Sequence, residues 1–434
     1  MTESFLTPDL CVLGGGPAGQ VVAAGASQMG ASVVLIEAAK LGGAGLNGAA
    51  VRALMTAAAI PDMSFAGAME RVRRDVAALA VSTSVERLEG LGVRVVAGFG
   101  QFTGPREVSV GKTRIRARRF VIATGAAPWL PPDLQDAAAL TPETLWHQQE
   151  APEPLLVRGG GATAAALAQG LRRLGCSVTL DAPSGLLPDE DEELVDGVRL
   201  ALRRDGVILR EGVPVERPMT GRILVADQRR PRMAGLGLEL AGITHSEQGI
   251  QIDAGLRTSN RRVYALGDVT GGPPSVALAN HQAGLVLRSA LFRLPVRNAL
   301  NALPLVTATD PELARVGPTE AEARARHGRL EILRWSMADV DRARIDGAPA
   351  GLAKVLLDRR GRVVGAAIVG SRAGELIVPW VLAVQRRLPI TALAGLMVPY
   401  PSLSELTKKV ASSYLMPRLF SDRVKTVVRW LAKF

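Results

Sequence analysis

The stretch Leu10–Glu37, LCVLGGGPAGQVVAAGASQMGASVVLIE, carries the reading of the whole chain. A short apolar run ends in Gly14-Gly15-Gly16-Pro17-Ala18-Gly19. Small residues at helical spacing follow, and a second apolar run, Val33–Ile36, closes on Glu37. Strand, glycine turn, helix, strand and terminal acid in this register make the βαβ layout of a dinucleotide site. Gly14 permits the tight turn, Gly16 lets backbone approach a pyrophosphate, and Gly19 lets the helix pack on the strand. The helix N-terminus offers amides and a positive dipole end to the phosphates. The Glu37 carboxylate is placed to accept ribose hydroxyls.

The pattern occurs twice. Leu155–Val157 leads into Gly159-Gly160-Gly161-Ala162-Thr163-Ala164, a helix pattern to about Leu174, and the strand pattern Val178–Asp181. Gly159, Gly160, Gly161, Gly175, Ser177 and Val178 repeat Gly14, Gly15, Gly16, Gly30, Ser32 and Val33 at constant spacing. The second copy is poorer, with Ala164 standing for Gly19 and Ala182 for Glu37. Asp181 is one residue early, and adjacent strand side chains point to opposite faces, so it reaches a ribose only from the strand end. Ala182–Leu187 contains no arginine for a 2′-phosphate, which favours NADH over NADPH.

Other elements follow from periodicity. Ala53–Ala59 reads as helix, and 62–89 as one amphipathic helix carrying Met69, Val72, Val76 and Leu79. Strand patterns occupy Val93–Val96, Glu107–Val110 and Arg119–Thr124, the last running into the loop Gly125-Ala126-Ala127-Pro128. Residues 186–217 read as helix and short strand, with the acidic run Asp189–Glu193 as a solvated helix start. Arg222–Ala226 is a strand followed by Arg229-Arg230-Pro231. The strand Val263-Tyr264-Ala265-Leu266 ends in Gly267-Asp268, a carboxylate at the sheet edge where open α/β folds bind ligands. A helix pattern covers Val276–Leu291 and contains His281, a histidine placed near that edge. After Pro304, strands (Leu305–Thr309, Leu330–Ser336, Ala353–Asp358, Val363–Val369) alternate with helices at 319–327 and 373–387, a separate α+β domain.

Composition narrows the function classes. The chain has 434 residues, 47% of them hydrophobic and 4% aromatic, so several cores must rest on Ala, Val and Leu. The net charge of +11 is mostly arginine scattered without aromatic interleaving, which argues against a nucleic-acid partner. The two cysteines, Cys11 and Cys176, sit in or beside buried strands and form neither a disulfide framework nor a metal spacing. The start MTESFLTPDL lacks the pattern of an export signal, and the apolar run Leu376–Val384 is too short to span a bilayer, so a cytoplasmic chain is expected. The tail Ser421–Phe434 is a basic amphipathic helix with Val424, Val427, Val428, Leu431 and Phe434 on one face. Such a helix either docks on a dimer or lies on the inner face of a membrane as a peripheral contact.

Together these residues resemble the pyridine nucleotide–disulfide oxidoreductases, the flavoprotein family of glutathione reductase, dihydrolipoamide dehydrogenase and mercuric reductase. The likeness rests on GGGPAG at 14–19, ATG at 123–125, GGGATA at 159–164, YALGD at 264–268, TDPELARVG at 309–317 and AGELI at 373–377. It implies an α/β chain of two Rossmann-like domains and a C-terminal α+β dimerisation domain, hence a homodimer. The FAD domain would comprise 1–150 and 265–300, the NAD(P) domain 151–264, and the dimerisation domain 301–434. FAD would sit on Gly14, Gly16, Gly19 and Glu37, with Thr124 and Gly125 nearby and Asp268 on the ribityl chain. NAD(P)H would use Gly159, Gly161 and Asp181.

The departures bear on chemistry. The family carries a Cys-x4-Cys redox pair after GG, where this chain reads GGAGLNGAAVRAL at 42–54. Arg52 is the nearest counterpart of the family lysine, Ala166 falls at its glutamate partner, and Tyr400 falls at the family's acid/base histidine, leaving Glu405 without a histidine. A phenol of reference pKa about 10 is a poor base near neutrality, but it can donate a hydrogen bond to an acceptor. The expected activity is therefore an FAD-dependent, NAD(P)H-linked oxidoreductase passing electrons from flavin to a small acceptor such as a quinone, metal, dye or oxygen. The alternatives are a flavin-binding subunit without its own turnover, and an FAD dehydrogenase or oxidase with an organic donor.

Overall fold

The computed structural model describes residues 4–130, 134, 139–212 and 221–434. It divides into two compact units, one built from Met1–Leu156, Leu174–Cys176 and Thr220–Leu300, the other from Val157–Arg173, Ser177–Met219 and Asn301–Phe434.

The first unit is built on a five-stranded parallel sheet in the order Val263–Ala265, Arg119–Ile122, Leu10–Leu13, Val33–Glu37, Val93–Ala97. Both faces are covered, so its strands are continuous apolar runs. Leu10, Val12, Leu35 and Val121 face the helices Pro17–Gln28 and Val276–Phe292, through Val22, Ala23, Ala26, Ala283 and Val286. Cys11, Leu13, Val34, Ile36, Phe120 and Ile122 alternate to the other face. There they meet a second sheet in the order Ser4–Leu6, Thr113–Ile115, Glu107–Val110, Gln101–Gly104. Phe102 and Phe120 pack edge-to-face across that layer at 5.3 Å.

The second unit carries a five-stranded antiparallel sheet, Pro304–Thr307, Glu312–Val316, Val363–Gly370, Leu352–Leu357, Glu331–Ser336. Helices Val378–Arg386 and Glu405–Ser413 cover it through Trp380, Ala383, Val384, Leu406 and Val410.

Several elements differ from expectation for identifiable reasons. The helix expected at Ala53–Ala59 spans Gly43–Ala58. Its glycine-rich start reads as loop, but those glycines answer to close packing. A Cβ on Gly45 would lie 2.7 Å from Cγ of Pro17, and one on Gly43 would lie 3.3 Å from Cα of Gly16. The helix expected over 62–89 breaks into Phe65–Val81 and Val85–Gly90, because Ser84 caps the second piece by accepting from the Arg87 amide. The end of the stretch expected at 186–217 lies outside the described residues from 213 onward.

The acidic run Asp189–Glu193 is solvated only in part: Asp189 and Glu192 are exposed, while Glu190, Asp191 and Glu193 meet cations of the C-terminal part. Glu190 is hydrogen-bonded by Arg315 at 2.6 Å, and Asp191, Glu193 and Glu320 surround the Lys354 ammonium at 3.1, 3.2 and 2.7 Å. Gly197 of the same helix presses on Val369, where an added Cβ would stand 3.0 Å from Cγ2. These contacts tie the helix Glu192–Arg204 to the C-terminal sheet. They lie within the second compact unit, which groups Ser177–Met219 with Asn301–Phe434.

Candidate functional site: two glycine loops of unequal quality

In the first unit, the C-terminal ends of three neighbouring strands converge. The Ala123 amide donates to the Leu13 carbonyl at 2.8 Å and the Leu266 amide to Ile122 at 3.1 Å. This brings Gly14, Thr124, Gly125 and Asp268 to one sheet edge. Gly14 has φ of 105°, and a Cβ there would stand 2.5 Å from the Ala123 carbonyl oxygen. A Cβ on Gly19 would stand 1.9 Å from the Gly14 oxygen. Gly16 is different, with nothing within 4 Å of the Cβ position. The first two glycines serve the protein's own packing, and the third leaves open space.

That space lies beside two helix starts. Neither Pro17–Gln28 nor Gly43–Ala58 has a side-chain cap or an acid in its first turn, so the N-terminal amides keep their capacity for an anion. Glu37 stands at the edge of the cradle, its Oε2 accepting from the Gly15 amide at 2.6 Å and its Oε1 from the Ala39 amide at 2.8 Å. A carboxylate pinned by two amides keeps further lone pairs for ribose hydroxyls. The residues present thus fit an FAD pyrophosphate and adenosine ribose.

Asp268 lies in the first turn of the short helical segment Gly267–Thr270. Burial pushes its carboxyl above the ordinary range, while the nearby Arg229 guanidinium pulls the other way. The Gly267 amide donates to Oε1 of buried Gln282 at 2.8 Å. Gln282, and not His281, is the residue of that helix turned to the site, since His281 is exposed. Sequence reading also missed a polar group on the same unit. Asn47 donates to Glu143 at 3.1 Å, Arg229 reaches Glu143 at 3.5 Å and the Ala126 carbonyl at 2.7 Å, and Thr124 donates to the Arg232 carbonyl at 2.8 Å. The signal was Arg229–Pro231, which forms a strand paired with Ala126–Pro128 just past ATG. Arg52 is exposed on the helix Gly43–Ala58.

The second glycine loop lies in the other unit and repeats the first in detail. The Gly42 amide donates to the Gly15 carbonyl at 3.0 Å, and the Leu187 amide donates to Gly160 at 2.7 Å. The Glu37 Cβ lies 3.4 Å from the Cβ position of Gly15, and the Ala182 Cβ 3.2 Å from that of Gly160. Ala182 therefore occupies the acid's place in space as well as in sequence. Gly159 and Gly161 lead into the helix Ala162–Arg173 as expected, the Gly159 amide donating to the Asp181 carbonyl at 2.9 Å. Asp181 as a ribose acceptor is corrected. Its side chain is fully buried on the opposite face, where Arg158 holds it at 3.3 Å.

Tyr400 is 72% exposed and donates its hydroxyl to Asp341 at 3.0 Å, a contact that pushes the phenol further above its ordinary value. Among the described residues, Glu405 Oε2 has no hydrogen-bond partner.

Two glycine loops of one design, one in each unit and only the first facing a carboxylate, are what a flavoprotein reductase fold would present. The comparisons agree: residues 8–283 match the model of pyridine nucleotide-disulphide oxidoreductases and 303–411 that family's dimerisation domain, and the chain belongs to this family. The dimerisation match supports a homodimer, and FAD is the cofactor the family supports. A dihydrolipoyl dehydrogenase of Thermus scotoductus is 34% identical across 92% of this chain and 95% of its own. A mercuric reductase of Streptomyces lividans is 30% identical across 95% and 98%. The Cu(II) complex of the HOCl-induced flavoprotein disulfide reductase RclA from Escherichia coli superimposes with a TM-score of 0.87 at 25% identity, covering 94% of this chain and 99% of that one.

Proposed function

We propose that this chain is an FAD-dependent, NAD(P)H-linked oxidoreductase that delivers electrons from flavin to a small acceptor without a redox disulfide. The observation that carries the reading is the placement of its thiols. Residues 42–54 contain no cysteine, and the chain's two cysteines, Cys11 and Cys176, are buried and in no disulfide. Burial pushes the Cys11 thiol far above its ordinary value. Thiol–disulfide exchange needs an accessible thiolate, and this chain offers none of that kind.

The flavin, when bound, supplies the electron chemistry. The amides around Gly16 and at the start of Gly43–Ala58 would hold its pyrophosphate, Glu37 its adenosine ribose and Asp268 its ribityl chain. The loop at Gly159 and Gly161 would take the nicotinamide dinucleotide, with NADH favoured. Arg52 would bring positive charge to the acceptor; Tyr400, in the other unit and held by Asp341, is an exposed hydrogen-bond donor. Ala182 in the acid's place supports a second reading, a flavin-binding subunit that has lost its own turnover.

Anaerobic addition of NADH or NADPH to the yellow protein separates the readings. Rapid bleaching with no new titratable thiol, followed by reoxidation with a quinone, dye, metal ion or oxygen, is the expected result. Two new thiols on reduction would overturn the direct route. Absence of bleaching at millimolar nucleotide would overturn the NAD(P)H-linked reading and leave the flavin-binding subunit and the dehydrogenase or oxidase with an organic donor, which a substrate screen under turnover would divide.

A further inference from the structure

The helix Asp422–Leu431 has no buried residue, and every position from Asp422 to Phe434 is exposed. Val424, Val427, Val428 and Leu431 fall at i, i+3, i+4 and i+7, one continuous apolar stripe. Trp430 and Phe434 extend it, packed edge-to-face at 5.2 Å and left 58% and 94% exposed. Just upstream, Met416, Leu419 and Phe420 are exposed as well. A contiguous apolar surface of this kind marks a contact not contained in the fold.

The charges say what that contact is. Lys425 and Arg429 stand at i and i+4 on the side away from the stripe, with Arg423 at the helix start and Lys433 just past its end. Against them stands Asp422, paired with Lys425 at 3.1 Å. Like charges at i, i+4 work against a helix, so the line of cations calls for negative charge outside it. A second copy of the helix would bring the same cations and leave them uncompensated. An anionic lipid surface satisfies both sides, since the stripe enters the acyl boundary and the long cationic stems reach up to the headgroups. Tryptophan is also the side chain best suited to that boundary.

We propose that residues 422–434 lie in the headgroup layer of an anionic membrane and hold the protein there peripherally. The proposal is independent of the electron acceptor. The test uses the full flavin-loaded chain with vesicles of phosphatidylcholine, alone or mixed with phosphatidylglycerol. About tenfold more protein should sediment with the mixed vesicles at low salt, and high salt should release it. Val427→Asp with Leu431→Asp should abolish sedimentation while leaving the flavin spectrum and the solution mass unchanged. Lys425→Gln with Arg429→Gln should remove the preference for phosphatidylglycerol. Absence of sedimentation, or equal binding to both vesicles, overturns the proposal. A double aspartate variant that still sediments but changes mass by light scattering overturns it too, and assigns the stripe to a second copy.

Discussion

The two glycine loops share backbone and differ in what they present. Both fold a returning segment onto the second glycine, through Gly42 on Gly15 and Leu187 on Gly160. Where the first places a carboxylate clamped by two amides, the second places a methyl group. A strand–turn–helix is therefore preserved by its own packing, while its ligand chemistry rests on a single side chain. The helix Glu192–Arg204 that follows the second loop is tied by ionic contacts to the C-terminal sheet, whereas the first loop's unit is held by sheet and helix packing.

The contrast can be broken at several points. The largest effect is expected from Lys354→Met. Its side chain is 4% exposed among Asp191, Glu193 and Glu320, and removing it leaves those carboxylates facing one another. The cost is about 3 kcal/mol, the low end for a broken buried pair because the acids are partly solvated. It is read as a lowered urea midpoint of tryptophan fluorescence. Burial works against the Lys354 ammonium, but hydrogen bonds to Glu320 and Asp191 outweigh it and raise its value. The hydrogen bond from Arg334 holds Glu193 low, and that from Lys354 holds Glu320 low. Depressed acids contribute stability above their unfolded value, and it is lost as pH falls through the native one. Wild-type stability should decline from about pH 4.5 downward, and the Lys354→Met curve should be flatter there.

Next is Gly19→Ala, which gives the first loop the residue the second carries at Ala164. With the Gly14 oxygen 1.9 Å from the new Cβ, the helix must shift, at about 1–3 kcal/mol. The ratio of flavin to protein absorbance after purification should fall. Glu37→Ala converts the first loop to the second's chemistry. Loss of charge-assisted hydrogen bonds worth about 1.5–3 kcal/mol should weaken FAD binding roughly 10- to 150-fold in titrations of apoprotein. The converse change, Ala182→Glu, is the gentlest. It should tighten NADH by about fivefold and leave NADPH weaker, measured by equilibrium binding. Unchanged selectivity would show that the second loop does not read the ribose from that position.

Both βαβ units were legible because glycine spacing, apolar runs and terminal residue are local signals. Even the loss at Ala182 was visible, and strand alternation explains why Asp181 faces inward to Arg158. What escaped depends on partners distant in sequence. The helix start at Gly43 was hidden because its glycines answer to Pro17 and Gly16. Glu190, Asp191 and Glu193 looked unpaired because Arg315 and Lys354 lie far along the chain. The link from Asn47 and Arg229 to Glu143 joins three segments with no common motif.

The lysine held by three acids has a consequence for how this chain is divisible. Expressed alone, 151–264 would leave Asp191 and Glu193 without their cation and expose the helix surface that meets Val369. The C-terminal part alone would leave Lys354 with Glu320 as its one remaining partner of the three acids. The second nucleotide module is therefore not a transplantable part: a chimera that swaps it must carry residues 315–354 along, and inheritance of one constrains the other.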